Sequence, residues 1–142
     1  MNPQLTPELI HHADSFLDRD EFHRKAVALG EQLFATFGSE KKGKGQVSSQ
    51  LRNLQQIVVS ATRFADIEDF VKNQMGRNAG AYREWRKVGD AILQHLEELR
   101  KAADRFTPDP GQRLLLRLHL ARGWVRAVVG AYLYAKAQKE ME

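Results

Sequence analysis

The run Lys41-Lys42-Gly43-Lys44-Gly45-Gln46-Val47-Ser48-Ser49-Gln50-Leu51-Arg52-Asn53-Leu54 carries the most chemically suggestive spacing in the chain. Three lysines interleaved with two glycines cannot build a core, and glycine is costly in a helix interior because it loses the most backbone freedom on ordering. The spacing predicts a cationic loop. Ser48 or Ser49 can then cap a helix whose Leu51, Leu54, Val58 and Ala61 recur at helical intervals. Lysines beside a helix N-terminus favour phosphate, since the free N–H groups and the dipole both attract negative charge. Solvated lysine-glycine loops also occur in proteins that bind nothing, so the loop gains weight only beside other cations.

Those cations are present. On a helical wheel Arg52, Gln56 and Arg63 fall within about 40° of one another, opposite Leu51, Leu54 and Val58. A second glycine junction, Gly76 to Gly80, is flanked by Lys72, Arg77, Arg83, Arg86 and Lys87 against the single Glu84. Lys41, Lys42, Lys44, Arg52, Arg63, Arg77, Arg83, Arg86 and Lys87 are therefore the candidate phosphate contacts. Arg113, Arg117, Arg122 and Arg126 add two pairs beside an apolar stripe, where arginine stems can be buried and heads kept wet. Like charges at i and i+4 repel unless an anion or carboxylate lies near, so these arginines call for a partner.

Catalytic chemistry finds no comparable constellation. No metal-binding H-E-x-x-H and no G-x-x-x-x-G-K-[ST] loop occurs, and Lys42-Gly43-Lys44-Gly45 lacks the preceding strand that a phosphate loop of that class requires. His11 and His12 are neighbours that point about 100° apart on a helix, which suits no shared metal. His23, His95 and His119 are read as solvated side chains. The expectation is a binding protein without a cofactor, a metal or an enzymatic activity.

The elements that must position these groups all read as helices. Thr6-Pro7 starts a short one over residues 7–14, read as peripheral, and Asp20 caps a second through Phe37, with Phe22, Ala26, Leu29, Leu33 and Phe37 as its stripe. Residues 48–75 are one helix or two, Asp66 being a possible restart and Gly76 a left-handed closing residue. From about 79 to 106, Trp85, Gly89, Ile92, Leu96, Leu99, Ala103 and Phe106 alternate steps of four and three, and Trp85 is assigned to the core. Thr107 to Gly111 is a loop with two prolines. The last helix runs from about Gln112 to Lys139 with Leu114, Leu118, Ala121, Val125, Val128 and Tyr132 turned inward. An all-α, single-domain bundle of about five helices follows, spanning residues 1–142.

Charge divides that chain. Residues 1–40 hold seven acidic against three basic side chains, although the whole carries +4, so the helical core from residue 41 onward is strongly basic. A polyanionic partner suits such a surface. The absence of cysteine fits a reducing compartment, and neither a signal peptide nor a membrane-length apolar run is found, so a cytoplasmic protein without a membrane partner is expected.

Two stretches resemble a known family. Gly45-Gln46-Val47-Ser48-Ser49-Gln50-Leu51-Arg52-Asn53-Leu54 is similar to the (Thr/Ser)-Ser-(Gln/Lys)-(Leu/Ile)-Arg box of the small helical subunit of type III-A CRISPR effector complexes, the Csm complexes. Arg126-Ala127-Val128-Val129-Gly130-Ala131-Tyr132-Leu133-Tyr134-Ala135-Lys136 resembles that family's closing helix, with Arg126 where the family usually has Glu, and Gly76-Arg77 is similar to its central Gly-Arg pair. The resemblance spans most of residues 40–142 and implies a non-catalytic antiviral-defence subunit. Such a subunit is present in several copies along a ribonucleoprotein filament, contacts the other subunits and lines the channel that holds guide RNA and target RNA. It makes the nine cations above RNA-binding candidates. Two alternatives stand beside it: the equivalent small subunit of the type III-B (Cmr) complex, and a helix-turn-helix DNA-binding protein turning at Gly76 to Gly80, whose following helix is long for a recognition helix.

Overall fold

The computed structural model describes the backbone of residues 4–38, 44–76 and 82–141, and the side chains of these apart from residues 37–38, 44–49, 82–84 and 87. The described residues form six α-helices and no strand: α1 (Pro7–Asp18), α2 (Asp20–Leu33), α3 (Lys44–Ser60), α4 (Phe64–Gly76), α5 (Tyr82–Phe106) and α6 (Pro110–Glu140). One helix more than expected arises because residues 48–75 are two.

Helix starts follow from local chemistry. Thr6 Oγ1 accepts from the Leu9 amide at 3.2 Å, and Asp109 Oδ2 accepts from the Gln112 amide at 2.9 Å. In both cases proline follows the cap, where its missing N–H costs nothing. The loop before α6 therefore shortens to residues 107–109. Asp20 is not a cap but the first residue of α2, which begins after Arg19 without a side-chain cap. As an acid in the first turn it still favours the helix dipole. The α3–α4 break falls at residues 61–63. Beyond it Arg63 grips Asp66 through two nitrogens, at 2.9 and 3.3 Å, across the first turn of α4. Asp66 thus supports the restart from inside the helix rather than capping it. At the other end of α4, Gly76 is the last helical residue and its φ lies outside the left-handed region, against expectation. α2 ends in a π-helical turn, Phe34–Gly38, whose first ring meets Tyr132 edge-on at 5.8 Å.

α6 is the centre of the assembly, with α1, α2, α3 and α5 packed along it. Its buried residues fall into two rows: Leu118, Ala121, Val125, Val128 and Tyr132, and the unanticipated Leu116, Leu120 and Trp124. Leu114, read as inward, is 36% exposed. A helix wrapped on several sides needs apolar residues around most of its circumference, which a single stripe does not reveal.

α1 and then α2 follow α6 in the same direction. Gln112 Nε2 donates to the Gln4 carbonyl at 2.9 Å, Asp14 lies 2.9 Å from His119, and Gly30 sits against Val128 and Ala131 further along. α1 is longer than expected and not peripheral, since it buries Ala13 and Phe16. α5 runs the opposite way beside α6, and α4 folds back along α5. Trp85, Ile92, Leu96, Leu99 and Ala103 are buried as the four-three spacing requires, and Phe70 meets Trp85 edge-on at 5.9 Å.

Candidate nucleic-acid interface

The rotation of α3 decides which of its side chains reach solvent. Gln50 Oε1 accepts from the buried indole N–H of Trp85 at 3.0 Å, and Leu51 and Leu54 are buried in the core. Gln50 and Leu51 of the Ser-Ser-Gln-Leu-Arg box are therefore structural. With Leu51 turned inward, Arg52 lies about 100° round the helix. It is exposed and makes neither ion pair nor hydrogen bond among the described residues. The helix itself begins by Lys44, so Ser48 and Ser49 lie within it and cannot cap its start, as the sequence had suggested. Lys44 and Gly45 belong to its first turn instead of the predicted loop.

The other predicted cations divide by what the fold does with them. Lys41, Lys42 and Arg77 lie outside the described residues, as do the side chains of Lys44, Arg83 and Lys87. Arg63 is exposed but paired with Asp66. Arg86 Nε donates to the Met75 carbonyl at 3.0 Å, satisfying one of the acceptors left open at the end of α4. Arg52 alone, of those whose side chains are described, is a cation with no internal role.

Two of the four arginines of α6 find a carboxylate on α5. Arg117 Nη2 lies 2.7 Å from Asp104 Oδ1, and Arg113 Nε lies 3.8 Å from the same oxygen. Arg113 also donates to the Thr107 carbonyl at 2.7 Å, closing the end of α5. These two arginines clamp the α5–α6 turn and need no external anion. Arg126 donates to the Arg122 carbonyl at 3.3 Å. Arg100, half-buried, is held by Glu68 of α4 and lies over the Phe64 ring at 5.3 Å.

A feature that the sequence reading missed adjoins Arg52. Between α3 and α6 an open groove of about 220 Å³ is lined by Leu51, Arg52 and Gln55 on one side and by Val129, Tyr132, Leu133 and Lys136 on the other. Lys136 also makes no ion pair among the described residues. The α6 residues recur at steps of three, one and three, a single face of that helix. The available signal was Lys136 four residues beyond Tyr132, but only the docking of α3 shows that this face stays open. A second groove, about 350 Å³, lies between α2 and α5, with Phe16 and Phe22 in its floor and Arg19, Lys101 and Arg105 at its edge. There Glu98 pairs with Lys25 at 2.9 Å and raises the lysine's pKa.

Among the described residues no cluster of three or more His, Cys, Asp or Glu side chains is placed to bind a metal. His95 and His119 are not simply solvated. His119 lies 2.9 Å from Asp14, and His95 is packed between Phe22 and Trp124. No helix among the described residues is long and apolar enough to cross a membrane. Compared with models of protein families, with curated proteins and with solved structures, the chain matches none.

Proposed function

We propose that this chain is a non-catalytic, RNA-facing subunit of a type III-A CRISPR ribonucleoprotein, and that Arg52 with Lys136 forms part of its contact to the RNA backbone. The observation that carries the reading is the division of labour within the Ser-Ser-Gln-Leu-Arg box. Its Gln50 and Leu51 anchor α3 to Trp85 and the core, and that anchoring turns Arg52 outward without a partner. The helix fixes where Arg52 leaves the backbone, and its planar guanidinium fork matches phosphate geometry, so less freedom is lost per hydrogen bond formed. The basic balance of residues beyond 40 agrees with a polyanionic partner. Guide or target RNA, neighbouring effector subunits and further copies of this chain are the partners this reading implies, with the cytoplasm as the compartment.

The test is assembly. The chain is expressed with the other type III-A subunits of its source genome, and the complex is isolated through one of those subunits. The chain should be recovered together with guide RNA. Arg52→Ala should leave its melting temperature unchanged and weaken target-RNA capture by about 1.5 kcal/mol, the size of one charge-assisted hydrogen bond. A complex that forms without the chain, or capture indifferent to Arg52, overturns the reading.

A further inference from the structure

The α3–α6 groove differs from the α2–α5 groove in what lines it. The larger groove mixes the cations Arg19, Lys25, Lys101 and Arg105 with the carboxylates Glu21 and Glu98, the latter paired with Lys25, and a carboxylate there opposes a phosphodiester strand. The described lining of the smaller one holds two cations, Arg52 and Lys136, and no carboxylate. Its wall is apolar where Val129 and Leu133 face the opening, and Leu133 is 54% exposed, a large aliphatic side chain left out of the core. Gln55 adds an amide with both donors and an acceptor.

Size selects among occupants. The lining of α6 covers about two turns, roughly 10 Å, from Val129 to Lys136. At about 220 Å³ the groove has room for one planar ring system rather than a drug-sized ligand. One ring, with negative charge on either side of it, is the description of a nucleotide within a strand.

We propose that this groove receives a single nucleobase of the RNA strand whose phosphates lie on Arg52 and Lys136. Val129 and Leu133 pack on the face of the base, and Gln55 meets its polar edge. The proposal rests on the RNA-facing reading above and goes further, because backbone contacts alone are indifferent to whether bases are present. Aliphatic packing on a base face is tolerant of sequence, so the groove recognises a base without selecting one.

Fluorescence anisotropy with two labelled strands separates the possibilities: an oligouridylate of about twelve residues, and a strand of the same length and charge built from abasic ribose. The intact protein should bind the oligouridylate about fivefold to tenfold more tightly at one salt concentration. Leu133→Ser should remove that preference by weakening the oligouridylate alone, with an unchanged melting temperature. Arg52→Gln with Lys136→Gln should weaken both strands and flatten the salt dependence by about 1.4 in log–log slope, at about 0.7 per contact. Equal binding of the two strands by the intact protein overturns the base site and leaves the backbone contacts standing. Binding of neither strand by the intact protein overturns both. Should Leu133→Ser alter the sedimentation coefficient and not the preference between strands, the groove joins copies of the chain and the proposal is wrong.

Discussion

The Trp124 indole nitrogen can only donate, so Nδ1 of His95, 3.0 Å away, is the ring nitrogen without a proton. His95 is therefore neutral in the fold. Burial pushes its pKa down from 6.5; Glu98 pulls it up and Lys25 pushes it down, and these two face each other as an ion pair. The sign of the linkage follows. Above pH 6.5 the ring is neutral folded and unfolded, and stability is complete; as pH falls below that, the unfolded chain takes up a proton that the folded chain refuses. Stability should decline from pH 6.5 downward through the lowered folded-state value. His95→Gln should lose part of that decline, and melting temperatures of both proteins between pH 8 and 5 would show it; parallel curves would mean that His95 does not titrate against folding. At this scale the sequence was informative where a side chain's fate depends on its own helix, as with Arg52 on the side of α3 away from the Leu51, Leu54 and Val58 face. It was silent where a tertiary partner decides: nothing local foretells that His95 meets Trp124, or that Arg86 meets the Met75 carbonyl.

Two glycines on facing and open sides of helices make opposite predictions. A Cβ on Gly30 would strike the Val128 carbonyl and approach the Ala131 Cβ to 2.7 Å, and a backbone carbonyl within α6 cannot move aside. Gly30→Ala should therefore cost about 1–3 kcal/mol as overpacking despite its better helix propensity. Gly130, in α6, would carry a Cβ with nothing within 4 Å of it, and should behave as an ordinary helix glycine. Gly130→Ala should stabilise by up to about 1 kcal/mol. Urea unfolding of the two variants checks both signs, and a neutral Gly30→Ala would mean that α2 and α6 can part without cost. The elements themselves were largely legible. α5 shows one face to the core and its four-three spacing was enough, whereas α6 is covered on several sides and its second row, Leu116, Leu120 and Trp124, has the look of noise around the first. The split between α3 and α4 was ambiguous because residues 61–63 hold neither glycine nor proline.

The arrangement of the whole is the part that helical periodicity cannot supply. Spacing predicts that α1 and α2 have apolar faces, but not that both lie along α6, with Asp14 reaching His119 across 105 residues of chain. Because α6 supplies the surface on which α1, α2, α3 and α5 pack, a fragment of residues 1–109 should show helical circular dichroism without a cooperative melting transition. A sharp transition in that fragment would mean that α1 to α5 hold a core of their own. The same topology sets an order on the birth of the molecule. α1 leaves the ribosome about a hundred residues before its counterpart on α6, and at about 5–20 residues per second that delay is roughly 5–20 s. The faces of α1 and α2 that pack on α6 have nothing to cover them in that interval. The nascent chain is thus a natural client for holding chaperones, and slowing translation ahead of α6 would prolong its exposure.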